Sequence, residues 1–301
     1  MRGFVLLLLS SVLFHSCHVG RFSFYNFADT RDYKKFPKKE LEASAEPFYF
    51  TNGSDSKRLR LPKTITKKGK EYLFEDALKK TRTAAFIVIR SDSILYEWYS
   101  PHKDKSNIST TFSMSKSFIS ALLGIAMDES YIKSTEESIT NYLDFLDKKD
   151  FGNVTIQHLL DTRSGIKFNE NYFNPFGDVA KYYYGTNIKK YLKHLKTEEA
   201  PGKHFRYMSL NTQLLGMIIE KATAKPLTTY LQEKLWAPLG MEFNASWSID
   251  SKKNKTEKAF CCINGRAIDY AKIGRLYLNK GVWNGKQIIS ENWIKQAYLF
   301  S

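Results

Sequence analysis

The chain has 301 residues, 43% hydrophobic and 26% charged, a globular composition that excludes disorder, collagen and a coiled coil. With 15% aromatic residues it has material for a sizeable core without disulfides, and Cys17, Cys261 and Cys262 offer neither a bridge framework nor CxxC metal spacing. The formal charge of +15 does not point to nucleic acid: lysines are scattered among acids, as in residues 252–258, with no recognition motif.

In chain order, the basic start Met1-Arg2-Gly3 leads into the mostly apolar run from Phe4 to Phe14. That run is too short to span a bilayer and fits an export signal, so the chain is expected to be exported to the periplasm or outer envelope. Cys17 follows Leu13-Phe14-His15-Ser16, a loose lipoprotein-type box. Lipid attachment at Cys17, and with it membrane anchoring, is one expectation; ordinary signal cleavage nearby is the other. Residues 1–17 are thus read as a signal peptide, 18–60, with Pro37, Pro47 and Asn52-Gly53, as a tether, and 61–301 as the folded domain.

The apolar runs 85–89 and 94–99 flank Arg90-Ser91-Asp92-Ser93 and predict a β-hairpin. Met114, Phe118, Leu122 and Ile125 then recur at helical spacing, predicting a buried helix that ends near Glu129. Shorter helices are expected over 154–162 and 187–195, a sharp turn at Pro201-Gly202, a buried helix around 214–222, and another over 267–278 stopped at Lys280-Gly281. Few further strands are visible to complete a sheet around the hairpin.

The commoner catalytic signatures are absent from the sequence: no Gly-x-Ser-x-Gly, His-Glu-x-x-His or phosphate-binding glycine loop. His158 and His194 sit on predicted helices and read as structural. The spacing Ser-x-x-Lys, which puts a hydroxyl and an amine one turn apart, starts at Ser54, Ser100, Ser113, Ser130 and Ser164. Only Ser113-Met114-Ser115-Lys116 opens a long buried helix after a strand pair, where a helix N-terminus favours an oxyanion and disfavours a proton on Lys116. Tyr207 lies in an extended turn ahead of the 214–222 helix, where a phenol can shuttle a proton. Taken alone, Ser113 reads equally as a helix-capping serine and Tyr207 more readily as a packing residue.

Ser113 to Phe118, Thr155 to Ile166 and the Tyr207 segment together resemble the β-lactamase-related serine hydrolases, which include class C β-lactamases, DD-peptidases, esterases and 6-aminohexanoate-dimer hydrolases. The segment 265–279 with Trp283-Asn284-Gly285-Lys286-Gln287 is especially similar to the aminohexanoate-hydrolase branch. The resemblance implies an α+β fold of the β-lactamase/DD-peptidase type, an antiparallel sheet packed by helices beside a large helical region. It also implies Ser113 as acylated nucleophile, Lys116 as proton acceptor, Tyr207 as acid/base partner and Ser209 at the third position of a Tyr-x-Asn motif. Serine there lacks an amide pair, which disfavours β-lactam-like substrates. A later Lys-Thr-Gly or His-x-Gly strand is not found, so the chain is expected to be incomplete at its C-terminal sheet strands. Two functions follow: an exported serine hydrolase acting on a small amide, ester or peptide, or an impaired penicillin-binding-like protein that binds envelope peptides. Neither a metal nor an organic cofactor is implied. Tyr182, Tyr183 and Tyr184 are read as packing aromatics before pocket walls.

Overall fold

The computed structural model describes residues 18–53 and 63–298; Cys17 with the expected signal peptide, and Ser54, lie outside the described residues. The helices are α1 (His18–Tyr25), α2 (Phe74–Lys80), α3 (Ser115–Asp128), α4 (Lys148–Phe151), α5 (Ile156–Leu160), α6 (Asp178–Tyr184), α7 (Ile188–Leu192), α8 (Ser209–Thr223), α9 (Leu227–Leu231), α10 (Ala267–Leu278) and α11 (Glu291–Tyr298). The strands are β1 (Lys38–Leu41), β2 (Thr51–Asn52), β3 (Thr64–Lys67), β4 (Lys70–Leu73), β5 (Ala85–Arg90), β6 (Ser93–Tyr99), β7 (Ser109–Thr110), β8 (Ala245–Ser248), β9 (Ile263–Gly265), β10 (Val282–Trp283) and β11 (Lys286–Gln287). The expected hairpin is β5–β6. Its turn places Ser91 and Asp92 at φ 48° and 60°, the pair of left-handed residues that matches strand twist in a two-residue loop. β2 adds parallel to β6, giving the order β2-β6-β5, while β3–β4 and β10–β11 form separate pairs. A second, antiparallel sheet runs β1-β8-β9-β7, built from strands too short to show a period in the sequence.

Packing corrects the tether. α1 lies on α6, the Tyr184 hydroxyl donates to Asn26 O (2.7 Å), and the Tyr183 hydroxyl donates to buried Asp32 (2.6 Å). Phe36 joins the core and Leu41 is fully buried where β1 pairs with β8. These contacts bind residues 18–41 to the domain; the mixed polar spacing hid the few aromatic anchors that hold them there.

The core centres on α3 and α8. Phe118, Ile119, Ala121, Leu122 and Leu123 are all 0% exposed, so α3 is covered on nearly every side. Gly124 admits Trp293 of α11: a Cβ there would lie 2.5 Å from its ring. α10 carries Asp269 and Lys272 into the buried interior. Asp269 accepts from Glu242 N (2.7 Å) and Phe243 N (3.2 Å), and Lys272 donates to Gly240 O (2.7 Å) and Asp269 (3.1 Å), so this buried pair clamps the loop before β8. Among the described residues no helix is long and apolar enough to cross a membrane.

Candidate active site

Ser113 is carried by the chain between β7 and α3. Thr111 N donates to Ile263 O (2.8 Å) and Cys262 N to Thr111 O (3.0 Å), which extends the β7–β9 pairing to within two residues of the serine. Thr111 and Ser115 are buried and join hydroxyls at 2.5 Å. Ser113 itself falls in the exposed turn that starts the helix, with Lys116 N donating to Ser113 O (3.0 Å). Lys116 follows one turn later, half-buried, on the same face.

The amine of Lys116 meets three oxygens: Phe260 O at 2.9 Å, Ser113 Oγ at 3.3 Å and Ser209 Oγ at 3.5 Å. The Tyr207 ring flanks it, with the centroid 5.3 Å from Nζ, a cation–π separation. The four residues singled out in the sequence therefore stand together. Glu170 and Phe260 are additions that spacing could not reveal. Ser209 donates its hydroxyl proton to Glu170 Oε1 (2.6 Å) and its backbone N–H to Oε2 (2.8 Å). A hydroxyl has one proton, so with that proton on Glu170, Ser209 faces Lys116 as an acceptor; the Phe260 carbonyl can only accept. Two positions of the amine are thereby occupied and the third points at Ser113 Oγ. In the ammonium that position holds a proton, and in the free amine it holds the lone pair that can take the serine's proton.

Each partner is held by a separate local device. Gly165, at φ 68°, passes so close to Glu199 that a Cβ would lie 2.3 Å from its carbonyl oxygen. Beside it, Glu198 N donates to Gly165 O (2.9 Å), Gly202 N to Arg163 O (2.7 Å) and Arg206 N to Thr162 O (2.8 Å), so the segment leading to Tyr207 is strapped to residues 162–165. The loop carrying Glu170 is tied to the start of α6 by Asn169 N donating to Asp178 (2.9 Å). Phe260 is set by α8: the Gln213 side chain accepts from Ala259 N (3.0 Å) and donates to Glu257 O (3.1 Å). Gly216 lets the chain pass, since a Cβ there would meet the Ala259 methyl at 2.5 Å.

Beside Ser113 opens a cavity of about 290 Å³, lined in part by Phe112, Tyr183, Tyr184, Phe260 and Cys261. Tyr183 and Tyr184 thus form pocket wall as well as core, whereas Tyr182 meets Phe168 edge-on with ring centroids 5.3 Å apart. Tyr172 also lines this space and donates to Glu170 (2.7 Å); partial burial and that carboxylate push its phenol above the usual tyrosine range. The cysteine reading needs correction: Cys261 and Cys262 are joined by a disulfide between neighbours. Adjacency in sequence does not prevent the bridge where the backbone adopts an unusual conformation, here φ 75° at Cys262. His158 has the structural role expected, its ring nitrogen accepting from Thr155 N (3.1 Å) at the start of α5.

With this geometry in place, residues 72–252 match the family model described as Beta-lactamase. A 6-aminohexanoate-dimer hydrolase from Paenarthrobacter ureafaciens is 27% identical over 238 residues, covering 74% of this chain and 59% of that protein. The chain thus spans less than two thirds of that relative's length. Among solved structures, a candidate 6-aminohexanoate-dimer hydrolase from Bacillus anthracis superposes with a TM-score of 0.73 at 22% identity, over 89% of this chain and 72% of the other. A penicillin-binding protein from Bacillus halodurans gives 0.58 at 16% identity, over 73% and 76%. These two likenesses establish the α+β fold of the β-lactamase/DD-peptidase type. Because the family match covers more than half of the sequence, the chain belongs to the beta-lactamase family.

Proposed function

We propose that the chain is a serine hydrolase that cleaves an amide or ester through an acyl-enzyme on Ser113. The observation that carries this reading is the Lys116 amine, which has two positions taken by acceptors and the third directed at Ser113 Oγ 3.3 Å away. In the first step Ser113 Oγ bonds to the substrate's carbonyl carbon while its proton moves to Lys116. The negative charge on the carbonyl oxygen develops near the start of α3, where the helix dipole and first-turn amides favour it. Collapse breaks the bond to the leaving nitrogen or oxygen, which takes a proton from Lys116 by way of Tyr207. Water then attacks the ester on Ser113, gives up a proton by the reverse route, and releases the carboxylic acid. Glu170 acts through Ser209 as a positioning residue. The likeness to a 6-aminohexanoate-dimer hydrolase supports cleavage of an amide or ester bond, without fixing the groups on either side of it. Export, with or without a lipid on Cys17, belongs to the same proposal and rests on the leader sequence.

Incubation with a small fluorophosphonate followed by peptide mass spectrometry tests the reading. The expected result is a single adduct on Ser113, with ester turnover falling about 10⁴-fold or more in Ser113→Ala. An intact, folded chain that gains no adduct on Ser113 would overturn it.

A further inference from the structure

Resting on that reading, we propose that the cavity beside Ser113 is an acyl pocket for a neutral, apolar chain, and that the enzyme's substrates are esters or amides of such acids rather than zwitterionic or carboxylate-bearing amides. The cavity opens directly from the nucleophile, since Ser113, Lys116 and Ser209 form one side of it. Phe22 and Phe27 also line it, and they come from the N-terminal segment that packs on α6. Among the described residues that line it, Lys116 is the one lysine, and arginine, aspartate and glutamate are absent; its amine is directed at Phe260 O, Ser113 and Ser209.

The tyrosines decide the matter, because a phenol hydroxyl is the group that would otherwise greet a substrate carboxylate. All three present rings to the cavity with their hydroxyls committed elsewhere: Tyr183 to Asp32 (2.6 Å), Tyr184 to Asn26 O (2.7 Å) and Tyr172 to Glu170 (2.7 Å). A carboxylate placed here would lose water and gain no new donor from these walls, which disfavours a charged group. An alkyl or aryl group gains about 0.8 kcal/mol per buried methylene. About 290 Å³ lies at the lower end of small-molecule sites, which suits a medium-length chain.

The test uses the full chain and a series of 4-nitrophenyl esters from acetate to decanoate, each paired with its ω-carboxylated analogue, with fluorophosphonate labelling of Ser113 run in parallel. The expected kcat/KM rises about fourfold per methylene to a maximum at medium length, and each carboxylated analogue falls at least a hundredfold below its neutral partner. Ala28→Trp, on an exposed residue of the cavity rim, is expected to move the maximum to shorter chains. Phe27→Arg, also exposed, is expected to narrow the gap between the paired esters. Labelling of Ser113 with a flat length profile, or equal rates for both members of each pair, overturns the pocket and leaves the hydrolase reading standing. Failure to label Ser113 overturns both.

Discussion

The α3 helix and the β5–β6 hairpin are both apolar runs of similar conspicuousness in the sequence, yet they occupy very different surroundings. Seven residues of α3 (Ser115, Phe118, Ile119, Ala121, Leu122, Leu123 and Ala126) are 0% exposed, while residues 85–89 of β5 are all only half-buried. The helix is enclosed by α8, the Trp293 ring and the chain that follows Glu257, whereas β5 pairs with β6 alone among the described strands. Apolar composition therefore does not measure how much water an element loses; that depends on how many layers cover it. The site follows the covered element. Ser113 and Lys116 open α3, Tyr207 and Ser209 open α8, and the Phe260 carbonyl is held against both, so catalytic geometry is drawn from the part of the molecule least able to yield.

The sharpest way to break this comparison is to remove the same kind of atom from each side. Leu122→Ala, in α3, is expected to cost about 3 kcal/mol by denaturant unfolding, the range for fully enclosed leucines; a loss below about 1 kcal/mol would show that α3 relaxes easily. Gly216→Ala is expected to cost about 1–2 kcal/mol despite alanine's better helix propensity, because the new methyl meets Ala259. It should also lower ester turnover, since Ala259 precedes the carbonyl that receives Lys116. Unchanged stability and turnover together would argue that this contact is slack.

The hairpin is anchored instead by charge. Asp92 receives two hydrogen bonds from Arg275 of α10, at 2.5 and 2.7 Å, and the Arg275 guanidinium lies over the rings of Trp283 and Phe48. These bonds hold the Asp92 carboxyl below its ordinary range. A depressed carboxyl stabilises the fold above its unfolded value, near 4, and that contribution is lost as the pH falls through the folded value. Asp92→Asn keeps a residue that tolerates the turn and is expected to cost about 1 kcal/mol at neutral pH, a figure reduced for the partial exposure of the carboxylate. The gap between variant and parent should close in acid; a gap independent of pH would mean that the turn, not the charge, carries the effect. The smallest change is expected for Val88→Ala in β5, below about 1 kcal/mol, because half-buried methyls regain little water. A loss as large as that of Leu122→Ala would abolish the contrast between the two regions.

The readable parts of the site were those set by short-range geometry. One turn of helix separates Ser113 from Lys116, and a tyrosine with a serine two positions on precedes a buried helix, so spacing and the family resemblance found all four. The hairpin and the α10 segment were legible for the same reason. Glu170 and Phe260 were not, because they reach Ser209 and Lys116 from 39 and 144 residues away and neither stands in a distinctive pattern. The N-terminal wall was missed because Phe22, Phe27 and Phe36 are scattered among polar residues, and scattered anchors resemble a linker until a surface is present for them to cover.

By itself the amino-acid sequence determined the periodic helices, the hairpin with its short polar turn, and which hydroxyl and amine share a face, since backbone geometry over a few residues decides each of these. Tertiary structure alone decided which acceptors surround the amine, where the phenol hydroxyls are spent, and that the first segment of the domain lines the cavity. Those outcomes depend on chains meeting across long separations, where a hydrogen bond or a buried ring is worth something only after the whole fold has excluded water around it.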